Sequence, residues 1–236
     1  MIKCLKKIIR NSNDRYDLWI SFLQEKELKN VVEVGVFKGD FAEKILLSCQ
    51  DIKKYLMIDP WRHLDDWNKP ANVLDDTFQS FYEETMHKTN FAVEKREVFR
   101  GRTQDVQDDI ENNSLDFAYI DGDHTLRGIS VDLIAIWGKI KSNGYIAGDD
   151  FCPSIWQHDK SYEPSLVFPF AVYFAESNNV KIYGLPYNQF LIDKGAKGYE
   201  FIDLTNGKYN ELSLLHQLKN ESSNKKKSFV SKILRK

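Results

Sequence analysis

The sequence predicts an α/β fold: a doubly wound, mostly parallel sheet with a C-terminal antiparallel strand. Two observations carry this. Short apolar runs, Val31-Val32-Glu33-Val34, Tyr55-Leu-Met-Ile58, Phe117-Ala-Tyr-Ile120 and Tyr145-Ile-Ala147, each lead into Gly or Asp, as buried parallel strands do. Stretches with apolar residues at helical spacing separate them, and right-handed strand-helix-strand units lay successive strands parallel.

Taken in order, residues 1–29 read as an N-terminal helical segment, 30–194 as the main domain and 195–236 as a C-terminal extension with a basic tail. Val31–Val34 is the first strand. Gly35-Val-Phe-Lys-Gly39 follows as a tight turn, and Asp40 is placed to cap a helix running through Ser48, with Phe41, Ile45 and Leu46 on its apolar face. The second strand ends in Asp59. Val98-Phe99 before Gly101 forms the next, followed by a polar helix from Thr103 to Ile110. Beyond Phe117–Ile120, the residues Leu126, Ile129, Leu133, Ile136, Trp137 and Ile140 keep helical spacing, and Asn143-Gly144 is expected to end that helix. Val167 to Glu176 reads as a helix. Val180–Tyr183 and Gln189–Ile192 read as a strand pair joined through Gly184-Leu-Pro-Tyr187, and no internal repeat is visible.

Composition bounds the function. The chain has 236 residues, a formal charge of −2 and a pI near 6.2, which suits one α/β domain and argues against a surface devoted to nucleic acid. Cys4, Cys49 and Cys152 are odd in number and scattered, so they read as free thiols. No stretch reaches transmembrane length and Met1–Arg10 lacks a cleavable leader pattern, so a cytoplasmic location is expected.

Chemistry concentrates in an acidic constellation. Asp121, Asp123 and His124 close one strand, and Asp149-Asp150 close the next. A lone Asp after a strand is ordinary capping or turn chemistry. Two clusters at the ends of neighbouring parallel strands converge on one point, and crowded carboxylates repel unless a proton or divalent cation intervenes. Oxygen-only ligands suit magnesium, calcium or manganese.

The first turn points to a second ligand. Glu33-x-Gly35-x-x-x-Gly39 sits at the switch point where such sheets bind ligands, but Phe37 stands where a dinucleotide fingerprint needs glycine, which disfavours a nicotinamide cofactor. Asp59 at the second strand end suits the two hydroxyls of a ribose. A nucleoside without a diphosphate fits better.

These residues together resemble the class I S-adenosylmethionine-dependent methyltransferases, which share a Rossmann-like fold, and specifically the metal-dependent O-methyltransferases that act on catechols and on sugars. The similarity runs from about Asn30 to Lys194 through Glu33–Gly39, Met57-Ile-Asp-Pro-Trp61, Gly101-Arg-Thr-Gln-Asp105, Asp116–His124 and Gly148-Asp-Asp150. It implies that Glu33, Gly35, Phe37 and Gly39 form the turn around the methionine portion, that Asp59 binds the ribose, that Thr103 and Gln104 lie beside the adenine, and that Asp121 borders the cofactor. It also implies that Asp121, Asp149 and Asp150 hold a magnesium or manganese ion. Phe41 departs from the pattern, standing where catechol-type relatives carry a small hydroxyl residue near the cofactor carboxylate. His124 replaces the lysine base of the catechol branch, which favours a sugar or other aliphatic alcohol as acceptor.

Methyl transfer from a sulfonium needs a nucleophilic oxygen, and an alcohol is a poor one until it loses its proton. His124, with an ordinary pKa near 6.5, is the expected base, and Asp123 is its competitor. Among aromatics in the long insertions, Phe78, Phe81 and Tyr82 have core spacing, while Trp61, Trp67 and Trp156 are pocket candidates and His158 is an isolated loop histidine. Lys3, Lys6, Lys7 and Arg10, and the tail Lys225–Lys236, suit weak contact with an anionic membrane surface or a partner, or simply a solvated face. The oligomeric state is open, a homo-oligomer included. The alternatives are a metal-independent methyltransferase and a non-catalytic nucleoside-binding module.

Overall fold

The computed structural model describes residues 1–210 and 212–215. After helices α1 (Ile2–Asn11) and α2 (Arg15–Glu25), strand β1 (Asn30–Val34) leads through α3 (Asp40–Ser48) to β2 (Lys54–Asp59), and α4 (Asp75–Lys88) leads to β3 (Arg96–Arg100). The second half runs α5 (Thr103–Val106), β4 (Leu115–Ile120), α6 (Leu126–Trp137), β5 (Ile140–Gly148), α7 (Val167–Ser177), β6 (Val180–Leu185), β7 (Gln189–Lys197) and β8 (Glu200–Asp203). These eight strands form one sheet in the order β3-β2-β1-β4-β5-β7-β6-β8. Strands β1 to β5 are parallel, and β7 is antiparallel to both β5 and β6.

Alternation along the strands builds two cores. Val32, Val34, Leu56, Ile58, Ala118 and Ile120 pack toward α6 and α7. Their neighbours Val31, Tyr55, Met57, Phe117 and Tyr119 pack with Leu5, Leu18, Trp19, Phe22 and Ile45 of α1, α2 and α3. The N-terminal helices therefore cover one face of the sheet. The basic side chains of α1 stay exposed while Leu5 and Ile8 are buried in the core on that face of the sheet. The basic tail from Lys225 lies outside the described residues. No helix among them is long and apolar enough to cross a membrane.

Winding reverses at β1, which pairs with β2 on one side and β4 on the other. Val34 is in register with both Ile58 and Ile120, and Ile120 with Gly148, so Gly35, Asp59, Asp121 and Asp149 emerge side by side at one edge.

Four local expectations change. The helix before β5 ends at Trp137, and Ile140 opens the strand opposite Leu115; its apolar side chain suits either element. Asn143-Gly144 instead lies within β5, where the register slips. A Cβ on Gly144 would stand 2.8 Å from the Asp116 carbonyl oxygen, so only glycine permits that approach. Gly39, at φ +76°, caps α3, and Asp40 is its first helical residue. The helix from Thr103 is a single turn followed by a 3₁₀ turn, Gln107–Asp109. The sheet also continues past residue 194, through the end of β7 into β8.

Candidate active site

The turn after β1 is shaped by close backbone approach. Gly35, at φ +86°, donates to the Ile58 carbonyl at 2.9 Å, and Asp121 donates its N–H to Val34 at 2.7 Å. A Cβ on Gly35 would lie 2.1 Å from the Asp121 carbonyl oxygen, inside contact distance. Phe37 also takes a positive φ, 55°, which costs a non-glycine residue about 1–2 kcal/mol. Its surroundings hold it there: its N–H donates to Asp59 Oδ2 at 2.9 Å, and its carbonyl accepts from Trp61 Nε1 at 2.7 Å and Thr85 Oγ1 at 3.2 Å.

Asp59 thus organises two loops, since its Oδ1 also accepts the Trp61 N–H at 2.7 Å. Burial pushes its pKa upward against the opposing pull of those backbone donors. Glu33, buried beneath the turn, accepts from Tyr55 Oη at 2.6 Å and is raised well above the carboxylate range by burial. Thr103 Oγ1 donates to Asp132 Oδ1 at 2.6 Å, joining α5 to α6. Burial raises Asp132 to about 7.

At the ends of β4 and β5 the charges interlock. Asp123 Oδ1 accepts the Thr125 N–H at 2.9 Å, and a Cβ on Gly128 would collide with Asp123, so this helix start needs its glycine. His124 Nδ1 pairs with Asp150 Oδ2, while Nε2 lies 3.4 Å from Asp121 Oδ1 without hydrogen-bond alignment. Burial alone would lower this imidazole, but the two carboxylates outweigh it and raise it to about 10. Arg15 Nη1 lies 3.0 Å from Asp121 Oδ2 and pairs with Asp149 Oδ2. Asp149 Oδ1 accepts from Gln189 Nε2 at 2.6 Å and from the Asp150 N–H at 2.7 Å.

A cleft runs over this edge. Its lining includes Glu33, Gly35, Phe37, Asp59, Thr103 and Gln104 from the first three strand ends, Asp121, Asp123, His124 and Asp150 from the next two, and Trp67 and Lys69 from the insertion before α4. That insertion is stapled to the one before α7: Asn68 bonds to Glu163 and Ser161, and the buried Lys69 Nζ donates to the Glu163 carbonyl at 2.8 Å and Ser165 Oγ at 3.1 Å.

Comparison with known proteins agrees with this geometry. The family described as "Methyltransferase domain" matches residues 32–151, half of the chain, from β1 to just past β5. The chain belongs to this family. It is an S-adenosylmethionine-dependent methyltransferase. No curated protein matches it. Among solved structures, it is similar to a putative caffeoyl-CoA O-methyltransferase from Staphylococcus aureus, with 13% identity and a TM-score of 0.56 over 81% of this chain and 91% of that one. The O-methyltransferase TomG from Streptomyces achromogenes, in complex with SAM, matches at 13% identity and TM-score 0.52 over 80% and 88% of the two chains. The SAH-bound methyltransferase PaMTH1 from Podospora anserina matches at 13% identity and TM-score 0.53 over 81% and 86%. These likenesses are ones of fold.

Of the expected cofactor residues in the methyltransferase, Glu33, Gly35, Phe37, Asp59, Thr103, Gln104 and Asp121 line the cleft. Gly39 does not; it packs against Thr85 of α4. Phe41 stacks flat on Tyr119 at 3.9 Å, so it closes the cleft wall with an apolar face. Trp61 is buried in the core rather than in the pocket, Trp67 lines it, and Trp156 is exposed.

The expected metal trio does not fit. Asp149 is turned out of the cleft toward Arg15 and Gln189, Asp121 is shared by Arg15 and His124, and Asp150 is paired with His124. Both Asp149 oxygens, Asp121 Oδ2 and Asp150 Oδ2 are already taken by a side-chain cation, an amide or a backbone N–H. Among the described residues no group of three His, Cys, Asp or Glu side chains is arranged to hold a metal ion.

Sequence reasoning missed Arg15, Gln189, Lys69 and Asp132. Asp132 alone carried a signal: it lies three residues after Ile129 and beside Leu133 on an apolar helix stripe, where an unexplained charge is worth noticing.

Proposed function

We propose that this methyltransferase transfers the methyl group of S-adenosylmethionine to a hydroxyl oxygen of a small polyhydroxylated acceptor, a sugar or glycan unit. The observation that carries the reading is one continuous cleft joining the Asp59 turn to Asp123 and His124 beneath the stapled insertions. Trp67 supports a hydroxyl-rich acceptor, because its indole Nε1–H is buried in the lining without a protein partner, and an aromatic face suits a sugar ring.

In this reading Asp59 accepts from the ribose hydroxyls and Glu33 faces the methionine portion. The acceptor hydroxyl gives its proton to the Asp123 oxygen not used by Thr125. The alkoxide then attacks the methyl carbon in line, the carbon–sulfur bond breaks, and S-adenosylhomocysteine leaves. His124 pairs through Nδ1 with Asp150 and lies beside Asp121, and these carboxylates favour its charged form, so in this reading it offers charge to the developing alkoxide rather than a free lone pair. Proton acceptance therefore falls to Asp123, the competitor named by the sequence. No step here passes through a divalent ion.

Turnover across a panel of nucleotide sugars and glycans, with mass detection of methyl addition, tests the reading. Methylation at nitrogen or carbon alone would overturn it. On the best acceptor, Asp123→Asn should lower turnover roughly 10²–10⁴-fold with cofactor affinity intact. Equal loss in His124→Gln but none in Asp123→Asn would return the base role to His124.

A further inference from the structure

The structure assigns to Arg15 the place a divalent cation would take: we propose that its guanidinium is the site's permanent cation, clamping Asp121 and Asp149 so that the enzyme works without metal. This rests on the methyltransferase reading above. A guanidinium stays charged at all accessible pH and presents a rigid planar fork that suits bridging two carboxylates. Arg15 Nη1 meets an oxygen of each, and lies 3.5 Å from Tyr119 Oη as well.

The arrangement is built rather than incidental. Asp14 caps α2 by accepting the Asp17 N–H at 2.8 Å, which makes Arg15 the first helical residue and fixes its direction. One turn on, the fully buried Trp19 donates Nε1 to Gln189 Oε1 at 2.7 Å, and the same Gln189 donates to Asp149. Helix α2 therefore holds Asp149 twice, directly through Arg15 and indirectly through Trp19 and Gln189. Tyr119 Oη completes the set by donating to Gln189 Oε1 at 2.9 Å. All four bonds of that amide stay within the protein. Arg15 also lies outside the segment shared with the methyltransferase-domain family, so the N-terminal helices supply what the common domain does not. Arg15 is a positioning residue here: it keeps the ends of β4 and β5 together and sets the field at the cleft wall.

The test is manganese binding followed by electron paramagnetic resonance on the full chain, alongside turnover in EDTA. The parent protein should leave manganese free in solution and keep its turnover under chelation. Arg15→Ala exposes mutually repelling carboxylates, so manganese affinity should rise by at least roughly tenfold, and added metal should recover thermal stability that the parent does not gain. A merely structural arginine would lose stability with no gain in metal response, and that outcome overturns the proposal. So does stoichiometric manganese binding to the parent with activity lost in EDTA. If Arg15→Ala does not fold, Arg15→Gln carries the same comparison. Metal binding is read without an acceptor, so failure to find a methylated product would overturn the functional reading and leave this result standing.

Discussion

Asp59→Asn probes the cofactor end of the cleft with a change of one atom. The Asp59 carboxylate accepts from Phe37 N–H at 2.9 Å and Trp61 N–H at 2.7 Å, and its remaining lone pairs are the ones proposed for the ribose. An amide keeps one acceptor oxygen, which can serve one backbone donor. The other backbone N–H then faces an NH₂ group, at a cost of about 1–3 kcal/mol for an unsatisfied buried donor. Because burial already disfavours the Asp59 charge, losing that charge offsets part of this. The net should be a melting temperature lower by roughly 2–8 °C for a chain of this length. Cofactor binding loses a charge-assisted hydrogen bond of roughly 1.5–3 kcal/mol, or about ten- to a hundredfold in affinity. Calorimetry with S-adenosylhomocysteine below the variant's melting range separates the two effects. A folded variant that binds S-adenosylhomocysteine as tightly as the parent would refute the ribose assignment, and one with unchanged melting as well would refute the loop-organising role.

Gly35→Ala should fail to fold, or lose more than about 10 °C in melting temperature, because the new Cβ would sit 2.1 Å from the Asp121 carbonyl at a positive φ; a stable, cofactor-binding variant would show that the close approach is not required. Asp132→Asn should change how stability depends on pH. The folded pKa, about 7, lies above the unfolded value of 3.8, so the folded state holds its proton longer and the parent loses stability as pH rises from about 4 to 7. The variant should escape that loss and be more stable at pH 8, by at most roughly 4 kcal/mol at 1.36 kcal/mol per unit, while still accepting from Thr103. Parallel melting curves for the two proteins across that range would count against a buried neutral Asp132.

The sequence by itself determined the sheet and the place of the site. Near-continuous apolar runs buried on both faces, Val31–Val34 and Phe117–Ile120, and Gly or Asp at each strand end, are local properties that packing had no reason to override. They fix the switch point, the Gly35 turn and Asp59. The Leu126 helix was legible in its start but not its end, since Ile140 is apolar in either element and its sheet partner Leu115 is decided only by pairing. What the carboxylates do was decided by tertiary structure alone. Asp121 and Asp149 attract a cation of either kind, and charge pattern does not say whether an ion or a side chain supplies it. In the fold their partners are Arg15, 106 residues before Asp121, and Gln189, 40 residues after Asp149. Neither has a local pattern to betray it, because a polar side chain at a helix start or strand edge gains its role from what the fold brings against it.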